Sequence, residues 1–308
     1  MLQFDKSGFW GERTNMHKKK MTNITPYFYI APITAILVGF VIVSVIISIV
    51  LSFTRYNIMT PPVYYGVKNY VRLLTDAKFL KALKNTLKLM IMIVPLQTIL
   101  AIVISTFLVS NRHMLIGKIA NSVIFIPVLC SNAVTGVVWK EMLNGKIPVI
   151  EKFFSFFGIK ASMLLGDAKT VLAVVAAVAI WKSMGYYVVI YSSGLMGISD
   201  TYYEAAKVDG AGALRRFFGI TLPMLKPTII LALFLSITSS LQCFDLIYTM
   251  TGGGPNNAST TLVVYAYNLC FGSSAAGYAM ALSNVLFLVI LIIAMLQRGF
   301  MKREASEI

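Results

Sequence analysis

The polar residues that stand out in this chain sit inside apolar runs. Ser236, Ser239, Ser240, Gln242 and Cys243 follow a stretch rich in leucine and isoleucine. Ser236, Ser240 and Cys243 are spaced i, i+4, i+7, which puts them on one face of a helix, and Ser239 and Gln242 widen that face. Hydroxyls and a carboxamide offer hydrogen-bond donors and acceptors without net charge, which is the chemistry a sugar needs. Serines also suit close contact between helices in a membrane, and the sequence leaves both uses open. Lys182 lies in another apolar run, beside Trp181, Ser183 and Tyr186. A cation there marks a solute path, pairs with another subunit, or reaches back along its stem to an interface. Tyr186, Tyr187 and Tyr191 can stack on sugar faces or line an interfacial belt. Asp245 is the one acid near these residues, and a helix-end or inter-subunit role suits it better than solute contact.

Covalent and metal chemistry have little support. The only histidines, His17 and His113, lie outside the apolar runs. Cys130, Cys243 and Cys270 have no CxxC spacing, so neither a disulfide framework nor a zinc site is expected. HExxH does not occur, and Gly252–Gly254 is followed by Pro255 rather than Lys-Ser or Lys-Thr. That run is a turn and not a phosphate cradle. No catalytic and no metal-ligating residue is assigned, and the chain is not expected to be an enzyme.

Membrane spans must position the polar residues. The chain is 57% hydrophobic and 13% charged, against about 25% charged residues in a soluble domain. A crossing takes roughly 20 apolar residues, and six are expected: 29–53, 87–109, 119–139, 170–191, 228–249 and 278–296. The predicted fold class is therefore all-α and polytopic, with residues 1–26 as a tail and 27–308 as one six-span domain. Pro95 and Pro127 fall inside spans, where neighbouring groups can satisfy the freed carbonyls. Residues 54–85 read as a polar loop with turns at Pro61-Pro62 and Gly66, and 76–88 as an amphipathic helix leading into the membrane. Val149–Phe157 has an apolar, helix-like pattern. The first apolar run is too long for a cleavable signal peptide, and Met1 and Met16 are both candidate starts. The net charge of +15 suggests membrane lipid and no nucleic acid, because no basic tract is interleaved with aromatic residues. The Lys/Arg distribution slightly favours both termini inside, mainly because 250–276 holds neither residue.

Residues 192–227 form a polar island between two spans. Thr201 and Glu204 have capping-box spacing. Small residues at 205, 206, 211, 212 and 213 leave a flat surface that a partner can approach. Asp209-Gly210 allows a turn, since glycine carries no Cβ penalty at positive φ. Phe217 and Phe218 are apolar anchors, and Pro223 and Pro227 stop one helix and start the next.

Glu204-Ala205-Ala206, Asp209, Gly210, Ala211, Phe217, Ile220-x-Leu222-Pro223 and Pro227 together resemble the EAA signature of the inner-membrane permease subunits of binding-protein-dependent ABC importers. Ser52-Phe53-Thr54, Gly66, Asn69-Tyr70, Asp76, Phe79, Asn85-Thr86, Pro127, Trp139, Phe244-Asp245 and Thr251–Pro255 extend the resemblance over nearly the whole chain. They resemble the carbohydrate-uptake branch, in the subunit type of the maltose and glycerol-phosphate systems that pairs with a different second permease. Residues 1–15 match nothing in it. The resemblance implies a type I importer permease fold in a prokaryotic cell membrane, and a cytoplasmic coupling helix seated in an ATPase cleft. It implies a second permease subunit, two ATPase copies and an extracytoplasmic solute-binding protein as partners. ATP and magnesium would sit on the ATPase and no cofactor on this chain. The motion implied is alternating access, opening outward on ATP binding and inward after hydrolysis. A secondary transporter is the alternative; it would carry intramembrane carboxylates or an internal repeat, and Asp245 is the only span-associated acid.

Overall fold

The computed structural model describes residues 25–305; the expected tail, residues 1–26, lies almost wholly outside them. By packing, the chain divides into two units, residues 1–47 and 48–308. In the first, helix α1 (Thr25–Leu37) runs through a π turn (Val38–Ile42) into α2 (Val43–Ser52), which carries the chain into the second. The second unit continues with strands β1 (Thr54–Asn57) and β2 (Thr60–Tyr64), and helices α3 (Lys68–Thr75), α4 (Ala77–Ser110), α5 (Leu115–Leu129), α6 (Asn132–Met142), α7 (Pro148–Phe156), α8 (Ala161–Gly166) and α9 (Val171–Met196). Helices α10 (Asp200–Val208) and α11 (Ala213–Arg216) precede a π turn (Phe217–Thr221) and α12 (Leu222–Met224). Helices α13 (Lys226–Leu241), α14 (Asp245–Thr251), α15 (Leu262–Tyr267) with a π turn (Asn268–Gly272), and α16 (Ala276–Ala305) complete the chain.

Among the described residues, four helices are long and apolar enough to cross a membrane: Tyr27–Ser52, Ala77–Ser110, Val171–Met196 and Ala276–Gly299. Two bent pairs bring the number to six if each is one span. The expected span over 119–139 is not straight, because α5 and α6 meet at 97°. Pro127 has no amide to continue the ladder, Cys130 and Ser131 are extended, and Ser131 Oγ accepts from the Val134 amide to start a new helix. The expected span over 228–249 is likewise broken. It ends at Leu241, and Gln242, Cys243 and Phe244 separate it from α14. Asp245 opens α14, where a carboxylate favours the helix dipole.

Other boundaries also moved. The amphipathic stretch 76–88 and the following span are one helix, α4, with 34 residues. At 1.5 Å per residue it is roughly 51 Å long, so it projects well beyond a bilayer core of about 30 Å. Asp76 starts it by accepting from the amides of Lys78 (2.8 Å) and Phe79 (3.4 Å). The expected polar loop after Thr54 is a hairpin of antiparallel strands β1 and β2, turned by Asn57 Oδ1, which accepts from the Met59 and Thr60 amides.

Helix α4 is central. It packs on α9, α13 and α5, and its first turns pack against α15. One apolar core runs through α4, α9, α13 and α14; another joins the start of α4 to α15 and α16. Helix α6 lies so close to α14 that a Cβ on Gly136 would stand 1.9 Å from Thr249 Oγ1. The segment after α14 is fixed by its own bonds. Thr260 Oγ1 donates to Gly253 O at 2.9 Å, and Asn85 Nδ2 of α4 donates to the carbonyls of Asn257 and Thr260, each at 3.0 Å.

Candidate functional site

Two places collect the polar residues. The first is a cavity of about 300 Å³ between α4, α9, α13 and the turn before α14. Ser236, Ser239 and Ser240 line it from α13, Gln242 and Cys243 from the break that follows, and Lys182 from α9. The break keeps Gln242 and Cys243 on the cavity although they no longer belong to the helix that carries the serines. Ser236 and Ser240 are buried, whereas Ser239 and Gln242 are exposed to the opening. Ser240 Oγ donates to Ile237 O at 2.8 Å. Tyr186 lies outside the cavity, exposed and edge-on to the Tyr187 ring at 5.2 Å. Tyr187, one turn on from Ser183, takes the wall position instead. Trp181 makes an edge contact with Trp139 at 5.5 Å. Asp245 lines the same cavity as Lys182, at the start of α14.

Gln97 and Ser183 complete the polar wall. Gln97, on α4, is 2% exposed. Its Nε2 donates to Ser183 Oγ at 2.8 Å, its Oε1 accepts from Ser236 Oγ at 3.4 Å, and Ser183 Oγ donates to Ala179 O at 2.6 Å. The amide therefore ties α4, α9 and α13 together at one level. Sequence reasoning did not single out Gln97; a glutamine two residues after Pro95 in an apolar run is the signal that could have found it. Donors and acceptors of neutral groups dominate the wall, with one cation, Lys182, and one carboxylate, Asp245, among its lining residues.

The second place is the segment from Ser199 to Pro227. The N-cap of α10 lies two residues before the expected one. Ser199, not Thr201, occupies the N-cap, and its Oγ accepts from the Thr201 amide at 3.4 Å. Thr201 lies in the first turn and its Oγ1 pairs with Ser199 Oγ at 2.8 Å, so Glu204 is not the closing member of a capping box. The helix ends in a Schellman motif. The Ala211 amide donates to Ala206 O at 2.8 Å and the Gly210 amide to Lys207 O at 3.0 Å, with Gly210 at φ +74°. Glu204, Ala205, Asp209 and Pro223 are exposed; Ala206, Ala211, Ile220 and Leu222 are half-buried. Val208 (88% exposed) and Leu214 add exposed apolar side chains that the sequence reading did not single out, and Phe218, expected as an anchor, is exposed as well. Phe217 turns inward, and with Tyr203 and Leu222 it packs on the core that carries Ile93, Tyr187 and Leu246 of the cavity wall. Tyr203 Oη and Thr221 Oγ1 lie 3.0 Å apart, closing α10 onto the π turn. The helix of residues 213–224 then meets α13 at 68°, with Pro227 in the first turn of α13.

Residues 77–304 match the family described as the inner membrane component of binding-protein-dependent transport systems. The chain belongs to this family. The permease is 31% identical over 253 residues to a multiple sugar-binding transport system permease of Streptococcus mutans, covering 82% of this chain and 86% of that one. It is 30% identical over 285 residues to a lactose transport system permease of Rhizobium radiobacter, covering 91% and 94%. Among solved structures it is similar in fold to a chain of a bacterial alginate ABC transporter in complex with an alginate pentasaccharide-bound periplasmic protein. The TM-score is 0.80 at 21% identity, covering 91% of this chain and 95% of that one. The permease thus has the all-α, polytopic type I importer fold and is a multi-pass membrane transport subunit, not an enzyme.

At the N-terminal end of α4, Asp76 anchors a polar bracket. Tyr265 Oη and Tyr278 Oη donate to its Oδ2 at 2.6 and 2.7 Å. Burial alone would raise its pKa, but these phenols and the two amides of α4 outweigh it and hold the carboxyl below its ordinary 3.8. The phenol of Tyr265 is pushed up, by burial and by its bond to Asp76.

Proposed function

We propose that this permease translocates a sugar or oligosaccharide handed over by an extracytoplasmic solute-binding protein. ATP hydrolysis on two copies of a separate ATPase subunit would drive the cycle, and a second, homologous permease subunit would complete the pathway. Both termini lie in the cytoplasm of a prokaryotic cell in this reading, which puts Ser199–Pro227 on the ATPase side. The relatives' sugar-transport names support the substrate class. A wall of Ser239, Gln242 and their neighbours supports it independently, since hydroxyls and amides exchange hydrogen bonds with hydroxylated solutes at little desolvation cost.

The observation that carries the coupling role is the shared core. The inner anchors of the exposed segment, Tyr203, Phe217 and Leu222, pack on the same cluster that forms part of the cavity wall. A displacement of α10 on ATP binding therefore meets close-packed side chains and not a soft loop. Exposed Glu204, Ala205, Val208 and Leu214 supply the docking face. Isolation of the tagged permease from native membranes tests the assembly. An ATPase subunit and a second permease are expected to co-purify, and Ala205→Trp together with Leu214→Glu is expected to release the ATPase while the second permease stays. Retention of the ATPase by that variant would remove the docking role.

A further inference from the structure

A separate cavity of about 540 Å³ opens at the ends of α4 and α9, where both helices leave their apolar spans. Arg112 and His113 from the turn after α4, Lys207 from α10 and Arg216 from α11 line it, and Asp200 is the only carboxylate among its lining residues. Arg112 donates Nε–H to His113 Nε2 at 3.1 Å, which leaves its terminal nitrogens as further donors. Arg216 is half-buried, and its Nε is buried with no hydrogen-bond partner. A buried guanidinium N–H left without an acceptor is costly, and an excess of cations around a concave cleft favours an anion.

We propose that this cavity binds a phosphate group, and that its position favours the head group of an anionic phospholipid as the source. Arginine forks and a lysine match phosphate oxygens in number and geometry. Thr106, Val109 and Leu195 form the wall on the span side, so the cavity lies at the depth of lipid head groups. A phosphate held there bridges three pieces of chain: the turn after α4, helix α10 and helix α11. It would stiffen the segment that contains Glu204 and Gly210. The leaflet, and the effect on coupling, rest on the orientation proposed above; phosphate binding itself does not.

The test uses the full-length permease with its partner subunits, in nanodiscs of phosphatidylcholine alone or of phosphatidylcholine with phosphatidylglycerol. Native mass spectrometry reads retained lipid, and hydrogen exchange reads residues 200–216. The expected result is retained phosphatidylglycerol and slower exchange of 200–216 in its presence. Arg216→Gln should weaken lipid retention about tenfold, the scale of one lost charged hydrogen bond, with partial recovery in Arg216→Lys. The wild-type exchange comparison needs no variant to fold. Inorganic phosphate slowing the same exchange in phosphatidylcholine-only discs, with no response to phosphatidylglycerol, would uphold the phosphate site and make its source soluble. Absence of any response to either probe would overturn the proposal. So would an Arg216→Gln variant that keeps its lipid but sheds the ATPase, which would assign the cavity to an acidic protein side chain.

Discussion

Gly210 offers a perturbation whose cost can be worked from local geometry. It sits at φ +74° and closes the Schellman motif that ends α10. A Cβ built there meets nothing within 4 Å, so within this chain a substitution costs backbone strain and no steric clash. Left-handed backbone costs an L-residue about 1–2 kcal/mol, whereas asparagine tolerates it. Gly210→Ala and Gly210→Val should therefore destabilise the closed turn by about 1–2 kcal/mol, a shift of roughly 5–30-fold in its population. Gly210→Asn should lose much less. The assay is sugar uptake per ATP hydrolysed by the reconstituted transporter. A lowered ratio is expected for alanine and valine, and a ratio near wild type for asparagine. If asparagine fails as badly as valine, the position needs empty space against a partner and the φ argument is wrong. If all three variants couple normally, α10 does not transmit force.

Other variants probe the cavity and the Asp76 bracket. Gln97→Leu removes the amide joining Ser183 to Ser236 and should cost about 1–3 kcal/mol in thermal stability, with reduced uptake; an unchanged melting temperature would show that the network contributes nothing. Ser239→Leu should impair uptake while assembly stays intact, because Ser239 is exposed to the cavity; Ser240→Leu is the poorer probe, since Ser240 is buried and overpacking costs about 1–3 kcal/mol by itself. Asp76 is held below its ordinary pKa in the folded state, so its contribution is present above about pH 4, the unfolded value, and is lost as pH falls through the lower folded value. Acid melting curves of wild type and Asp76→Asn should converge below about pH 4; curves that remain equally separated there would show that the carboxylate charge is irrelevant.

What the sequence revealed and what it hid divide along local and long-range physics. Span positions follow from apolar runs, and the turn at Gly210 from a residue type that tolerates positive φ. The serine stripe does reach a cavity, because helical spacing fixes which side chains share a face. Gln97 was passed over because its partner Ser183 is 86 positions away and only the packing of α4 on α9 brings them together. The breaks at Cys130–Ser131 and after Leu241 were missed because both runs are apolar enough on average to read as one crossing, and average hydropathy carries no signal for a bend. The Thr201 cap was misplaced by two residues because Ser199 has the same capping chemistry. Tyr186 and Tyr187 are neighbours of one type, and only packing decides which one faces the cavity.

In the function proposed above, this permease imports a sugar by a cycle driven through Ser199–Pro227. The most direct measurement places the permease, its proposed partner permease and the ATPase in proteoliposomes, with ATP inside and a sugar-loaded binding protein outside. Predicted is sugar accumulation that requires both ATP and the loaded binding protein, with hydrolysis stimulated by the latter. Accumulation driven by an ion gradient, with no ATP and no binding protein, would contradict the account and favour a secondary transporter.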